Sequence, residues 1–241
     1  MAHFYLVDEL AAEGDVVELT GPEAKHAATV SRARVGESLS LGDGRGAVAA
    51  GVVESVSPQS LAVRLSEVVL HDAPDTTITL VQALAKGDRD ELAIQAATEL
   101  GVDRIVPWQA ERSVSRWEGA KATRGVERWT TIVREAVKQS IRPRIPVVTE
   151  LASMADVVAL AASSRVLVLH PDAETSLADS VAGTDDIVLV VGPEGGITPS
   201  ELARFTAAGA VPVRLGAEVL RTSTAGPAAI AALSILTGRW S

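Results

Sequence analysis

Beyond residue 75 short apolar runs alternate with longer segments of helical apolar period, and this grammar constrains the fold more than any other feature of the chain. Candidate strands fall at 78–83, 104–108, 166–170, 187–191 and 211–215. Candidate helices fall at 90–100, 120–140, 154–163, 199–208 and 224–236. Strands that read as continuous apolar runs bury both faces, so the alternation predicts an α/β domain with a parallel sheet covered by helices. In such sheets ligands sit outside the carboxyl ends of the strands.

Residues 1–72 read differently. Short strands are expected at 4–7, 16–19 and 37–41, and longer ones at 47–56 and 61–70. They are separated by the turn Gly42-Asp43-Gly44-Arg45-Gly46 and the break Ser57-Pro58, while Gly21-Pro22-Glu23 opens a short helix carrying His26. Many short strands in a small segment predict a compact β-barrel. His71-Asp72-Ala73-Pro74-Asp75 is the natural linker, giving domains at 1–72 and 73–241. No internal repeat or low-complexity segment is evident.

The 241 residues include no cysteine. That excludes disulfides, thiolate catalysis and the usual structural zinc sites, and it is compatible with a cytoplasmic protein. The four histidines form no metal-ligand pattern, so no metal is expected. No apolar run approaches the length of about 18 residues that a membrane span needs. Met1-Ala2-His3-Phe4-Tyr5 also lacks the basic-then-apolar pattern of a signal peptide. The net charge of −9 argues against a nucleic-acid partner until its distribution is considered. Residues 1–72 hold five Lys/Arg against eleven Asp/Glu, whereas 104–144 hold ten against four. Phosphate contacts depend on local charge, so an acidic chain can still present a basic face; a solvated helix surface is the alternative.

The chemistry should lie near the carboxyl terminus. The run 187–191 leads into Gly192-Pro193-Glu194-Gly195-Gly196, and Thr198-Pro199 then starts a helix. Three glycines after a buried strand permit close backbone approach to a ligand. Neither GxGxxG nor GxxxxGK[ST] is present, and Glu194 would repel a phosphate. A carboxylate there suits a neutral or cationic ligand, such as a sulfonium, unless the loop is a plain strand-to-helix turn. Val213-Arg214-Leu215-Gly216 ends a later strand, and Val219-Leu220-Arg221-Thr222-Ser223-Thr224-Ala225 leads into the last helix. Thr222 or Ser223 is a candidate cap. Arg221 reads as an anion or base contact, or as half of a surface ion pair. From 225 to 236 the helix is apolar almost all round, so it must be buried all round, in a subunit interface or within its own domain.

These motifs, in this order, resemble the RsmE family of bacterial 16S ribosomal RNA (uracil-N3)-methyltransferases in the SPOUT class. The resemblance rests on GPEGG, then LG, then VLRTSTA before a terminal helix. It extends to His26-Ala27-Ala28-Thr29-Val30-Ser31-Arg32-Ala33-Arg34-Val35-Gly36, Lys86-Gly87-Asp88-Arg89 and Thr98-Glu99-Leu100-Gly101-Val102. Glu111-Arg112-Ser113-Val114 and Glu135-Ala136-Val137-Lys138-Gln139-Ser140, with Arg142 and Pro146, complete the series.

The resemblance implies a small amino-terminal PUA-like β-barrel and a SPOUT-type α/β domain whose parallel sheet carries a trefoil knot. It also implies a homodimer, S-adenosyl-L-methionine as cofactor, and 16S ribosomal RNA, within the small ribosomal subunit, as partner. Carried over by motif, the cofactor lies against Leu169, His170, Gly192, Pro193, Glu194, Gly195, Gly196, Leu215, Gly216, Val219, Leu220, Arg221, Thr222, Ser223, Thr224 and Ala225. Three positions depart from the family. His3 stands where Arg often precedes Phe-Tyr, and Glu218 and Ser223 stand where many members have Arg and Glu, so no role of that Glu transfers.

Methylation at uridine N3 needs positioning, loss of the N3 proton and stabilisation of charge. Arg221 is expected to stabilise the uracil anion, and Glu194 or Glu99 to orient substrate or accept the proton, a structural role for Glu99 being the alternative. Lys25, Arg32 and Arg34 in the first domain, and Arg112, Arg116 and Arg142 in the second, are the expected RNA contacts. Competing readings are another SPOUT enzyme, such as a ribose 2′-O-methyltransferase, and a non-catalytic RNA-binding protein.

Overall fold

In most amino-terminal runs apolar side chains recur at every second residue and give strands with one face buried, whereas the run 4–6 is buried on both. The computed structural model describes residues 3–57, 59–181 and 186–240; Met1, Ala2 and Pro58 of the Ser57-Pro58 break lie outside the described residues. The strands are β1 (Phe4–Leu6), β2 (Val16–Thr20), β3 (Ser38–Gly42), β4 (Ala47–Val56) and β5 (Ser60–Leu70), with helix α1 (Gly21–Thr29) between β2 and β3. They form one sheet in the order β1-β3-β4-β5-β2, with β1 parallel to β3 and the other neighbours antiparallel. Tyr5, Leu19, Leu41, Val53 and Val63, one from each strand, share a core with Ala24 and Ala27 of α1. A flat sheet cannot gather all five strands around one core, so this one is curled.

The chain divides into two units, and the first takes in Val137–Ile145 as well as Met1–Ala73. Phe4 and Leu6, on the opposite face of β1 from Tyr5, pack with Val137, Val48 and Ile145. Backbone bonds from Gly46 N to Pro143 O (3.0 Å) and from Ile145 N to Gly44 O (2.9 Å) secure that segment. Lys138 adds a half-buried ion pair to Glu23 at 3.2 Å.

The second unit comprises Pro74–Ala136 and Pro146–Ser241. Its elements are β6 (Ile78–Ala83), α2 (Arg89–Glu99), β7 (Arg104–Trp108), α3 (Ala120–Ser140, of which the last turn belongs to the first unit) and β8 (Val147–Val148). There follow α4 (Met154–Ala159), β9 (Arg165–Leu169), β10 (Ile187–Val191), α5 (Pro199–Ala207), β11 (Val211–Val213) and α6 (Thr222–Leu236). The sheet order is β11-β9-β10-β6-β7-β8, and each of these pairings is parallel. β6 and β10 are buried at every residue, as continuous apolar strands under helices should be. β8 was invisible to periodicity because two residues carry no period.

Within this chain helix α6 is not buried all round. It buries Gly226, Ala229, Ile230 and Leu233, while Ile235 and Leu236 beyond them are 64% and 46% exposed. A Cβ at Gly226 would lie 3.2 Å from Leu80, so the glycine lets α6 approach β6 closely. The apolar surface of this helix is therefore covered on one side only.

Candidate functional site

Because β9, β10 and β11 are parallel neighbours, their carboxyl ends lie on one side of the sheet, and the segments that leave them converge. Together with the amino terminus of α6 they enclose a cavity of about 660 Å³. From β9 come Leu169, His170, Pro171 and Asp172; from β10, Val191 to Ile197; from β11, Val213 to Gly216. Glu218 to Thr222 and Ala225 close the far side, and Arg89 and Arg112 reach in from elsewhere.

Steric demands account for the glycine-rich loop residue by residue. A Cβ at Gly192 would come within 2.8 Å of Ile197, and one at Gly195 within 3.0 Å of Arg112. Gly196 has φ +71°, a conformation that side chains disfavour. The loop then enters α5 through a capping box: Thr198 Oγ1 accepts from Glu201 N (3.1 Å), and Glu201 Oε2 accepts from Thr198 N (2.9 Å). The other oxygen of this buried carboxylate accepts from Glu111 N at 2.8 Å, anchoring the segment that delivers Arg112. Arg112 Nη1 in turn donates to the Gly195 carbonyl at 2.9 Å.

Glu194 is engaged by the protein itself. Its Oε1 accepts from the Lys86 backbone N–H (3.0 Å) and from Arg89 Nη1 (2.9 Å). Partial burial alone would raise its pKa, but backbone hydrogen bonds from Glu194 itself and Lys86, with the Arg89 guanidinium, outweigh that and hold the carboxyl below the usual range. A carboxylate tied in this way is a weak proton acceptor and a good tether between the loop and α2.

Arg221 occupies the N-cap position of α6, and its carbonyl accepts from Thr224 N and Ala225 N at 2.8 and 2.9 Å. Its side chain is exposed, lines the cavity and makes no ion pair among the described residues. Neither Thr222 nor Ser223 caps the helix. Thr222 Oγ1 donates instead to the Gly192 carbonyl at 2.9 Å, joining two walls of the cavity.

Of the expected cofactor residues, the structure gathers all but Ser223 and Thr224 around this cavity; those two lie in the first turn of α6 without lining it. Glu99 is not brought in. It ends α2 while Arg89 begins it, so about 1.5 Å per residue puts it roughly 15 Å away, where it accepts from Gln95 Nε2 at 3.1 Å. Sequence reasoning missed Arg89, Asp172 and Arg214 in the lining, although Arg89 ends one of the recognised motifs.

The expected RNA contacts divide unevenly. Lys25, Arg32 and Arg34 are exposed on the first unit, and Arg142 also lies there rather than in the second. Arg32 has φ +53°, a left-handed conformation where α1 terminates, as the Ala33 N to Ala27 O bond (3.0 Å) shows. Arg116 is exposed and donates to the Glu111 carbonyl at 2.8 Å. Arg112 lies in the cavity wall. Among the described residues no group of His, Asp and Glu has the grouping a metal ion requires, and no helix is long and apolar enough to cross a membrane.

A family profile described as RNA methyltransferase domain matches residues 72–234, and one described as RNA methyltransferase PUA domain matches residues 19–66. The chain is 46% identical over 246 residues to the ribosomal RNA small subunit methyltransferase E of Mycobacterium bovis, covering 100% of this chain and 94% of that protein. It is 32% identical to the protein of the same name from Bacillus subtilis, covering 96% and 94% of the two chains. Among solved structures it resembles that of the Neisseria gonorrhoeae protein of this name bound to S-adenosyl methionine. The TM-score is 0.91 at 29% identity, over 100% of both chains.

Proposed function

The chain belongs to the ribosomal RNA small subunit methyltransferase E family, and from that premise we propose that it methylates N3 of a uridine in 16S ribosomal RNA with S-adenosyl-L-methionine as methyl donor. Its fold class is the expected one, an α/β domain of the SPOUT class together with a PUA-like domain. The alternative readings, a ribose methyltransferase and a non-catalytic RNA binder, are not favoured.

The observation that carries this reading is the cavity at the carboxyl ends of β9, β10 and β11. It joins a loop whose glycine positions leave no room for side chains to an arginine that makes no ion pair among the described residues. The glycine-rich loop, Leu169-His170, Leu215-Gly216 and the 219–222 segment with Ala225 would hold the cofactor through backbone and apolar contacts. When bound, the cofactor supplies an electrophilic methyl group on a sulfonium. Arg221 stabilises the negative charge that uracil acquires as N3 loses its proton, which favours the nucleophilic form. Glu194 holds the loop to α2 and accepts no proton; the N3 proton passes to solvent water at the open mouth of the cavity. Glu99 has no part in the chemistry.

Lys25, Arg32, Arg34, Arg116 and Arg142 are the proposed RNA contacts, and Arg112 is reassigned to shaping the cavity. The target base must leave its stack, or be unpaired, to present N3. The apolar surface of α6 around Ile235 and Leu236, with Trp240, supports a homodimer, and light scattering of the purified protein tests it.

The decisive experiment incubates the protein and labelled cofactor with small subunits that lack the modification, then maps methylated nucleosides by mass spectrometry. We expect 3-methyluridine. A different methylated nucleoside would reject the uridine-N3 assignment, and no product at all would reject the enzyme reading.

A further inference from the structure

β6 is buried from end to end, yet near its carboxyl end it carries a carboxamide. Gln82 has no exposed surface and pairs with Val191 of β10, the residue before the glycine-rich loop. Its Nε2 donates to the Ala83 carbonyl at 3.1 Å and to Thr222 Oγ1 at 3.0 Å. Thr222 Oγ1 then donates to the Gly192 carbonyl at 2.9 Å. Both amide protons of Gln82 are used, whereas its Oε1 is buried without a hydrogen-bond partner among the described residues. The orientation is fixed chemically, because the reversed carboxamide would set oxygen against the Ala83 carbonyl.

A buried acceptor left unpaired is a burden on stability, and an apolar residue would fill a sheet position without one. What Gln82 gains for the protein is geometric. A hydroxyl has one proton, and that of Thr222 is directed to Gly192 when the neighbour facing its lone pair is a donor and does not compete for the proton. Gln82 is that donor. Thr222 directly follows Arg221, so the same hydroxyl locates the arginine and the first carbonyl of the loop relative to each other.

We propose that Gln82 is a positioning residue which, through the Thr222 hydroxyl, sets the two walls of the cavity, Gly192 on one side and Arg221 on the other. What the cavity holds rests on the cofactor reading above; the coupling itself does not.

The test compares Gln82→Leu, Thr222→Val, their double variant and Thr222→Ser in the full chain. S-adenosylmethionine affinity is read by calorimetry, kcat and KM by turnover, and amide hydrogen exchange of residues 192–197 without ligand. Each of the first two substitutions should weaken cofactor binding about tenfold and speed exchange of the loop, the double variant should be no worse than either, and Thr222→Ser should stay near wild type. Additive losses in the double variant, or unchanged loop exchange in Thr222→Val, would overturn the proposal. If a Gln82 variant fails to fold, the Thr222→Val and Thr222→Ser pair still decides. If the wild-type protein binds no cofactor, the cofactor reading falls on its own and the exchange comparison judges the coupling.

Discussion

The two sheets obey opposite burial rules. In β2 exposed and buried residues alternate strictly, and β5 follows the same period over most of its length. In β6 and β10 every residue is buried. A polar side chain in the first sheet simply points outward and reports nothing beyond the period. In the second it is surrounded by apolar side chains, and the Gln82 amide is answered by the α6 terminus, whose Thr222 hydroxyl reaches the glycine-rich loop. Buried polar groups are informative in proportion to how apolar their surroundings are.

The largest effect that can break this comparison is a stability loss. Leu80→Ala in β6, at a fully buried position, should cost about 2–5 kcal/mol in urea denaturation, whereas Val52→Ala in β4, 39% exposed, should stay within about 0.5 kcal/mol. Comparable losses at the two positions would show that the sheets are not so different.

Arg221→Ala comes next and separates wall from chemistry. Turnover should fall by about 100-fold or more while calorimetric affinity for S-adenosylmethionine changes little. Near-normal turnover with normal cofactor binding would remove the arginine from the mechanism.

A smaller effect follows from Glu194, whose carboxyl is held below the usual range against the opposing pull of burial. A depressed folded-state value means stability that is present above the unfolded-state value and lost as pH falls through the folded one. Thermal melting of the wild type should therefore decline between about pH 5 and pH 3, by roughly 1 kcal/mol or less for a partly exposed ion pair. Glu194→Gln should be flatter in that window; identical profiles would deny the tether.

The smallest change sharpens the comparison on the first unit. Arg32 sits at φ +53°, where glycine is at ease. Arg32→Gly should leave stability unchanged or raise it by up to about 1 kcal/mol. It should also lower the salt dependence of RNA binding by about one unit of slope. An unchanged slope would mean that the strain serves no phosphate contact.

Much of the fold was legible because periodicity is a local property. The strands at 78–83, 104–108 and 187–191 and the helix at 120–140 fall where apolar spacing puts them. Misplacements concentrate at ends, as in β11, which stops at Val213 because the chain turns there to line the cavity. Glu99 shows the limit of motif reasoning. It belongs to a recognised stretch, yet one helix length carries it away from the cavity that Arg89, ten positions earlier, enters. The segment Val137–Ile145 shows another, since its place with Phe4 and Leu6 depends on packing across more than a hundred residues of chain.

By itself the sequence determined the alternation of elements, the glycine-rich turn at 192–196 and the family the chain belongs to, because spacing and residue type act over a few neighbours. Only the tertiary structure decided that Glu194 is tied to Arg89, that Thr222 bonds Gly192 instead of capping its helix, and that Gln82 stands behind both walls. Those contacts join residues about thirty to more than a hundred positions apart. Hydrogen bonds are chosen by distance and angle in space, and the linear order of residues carries no record of either.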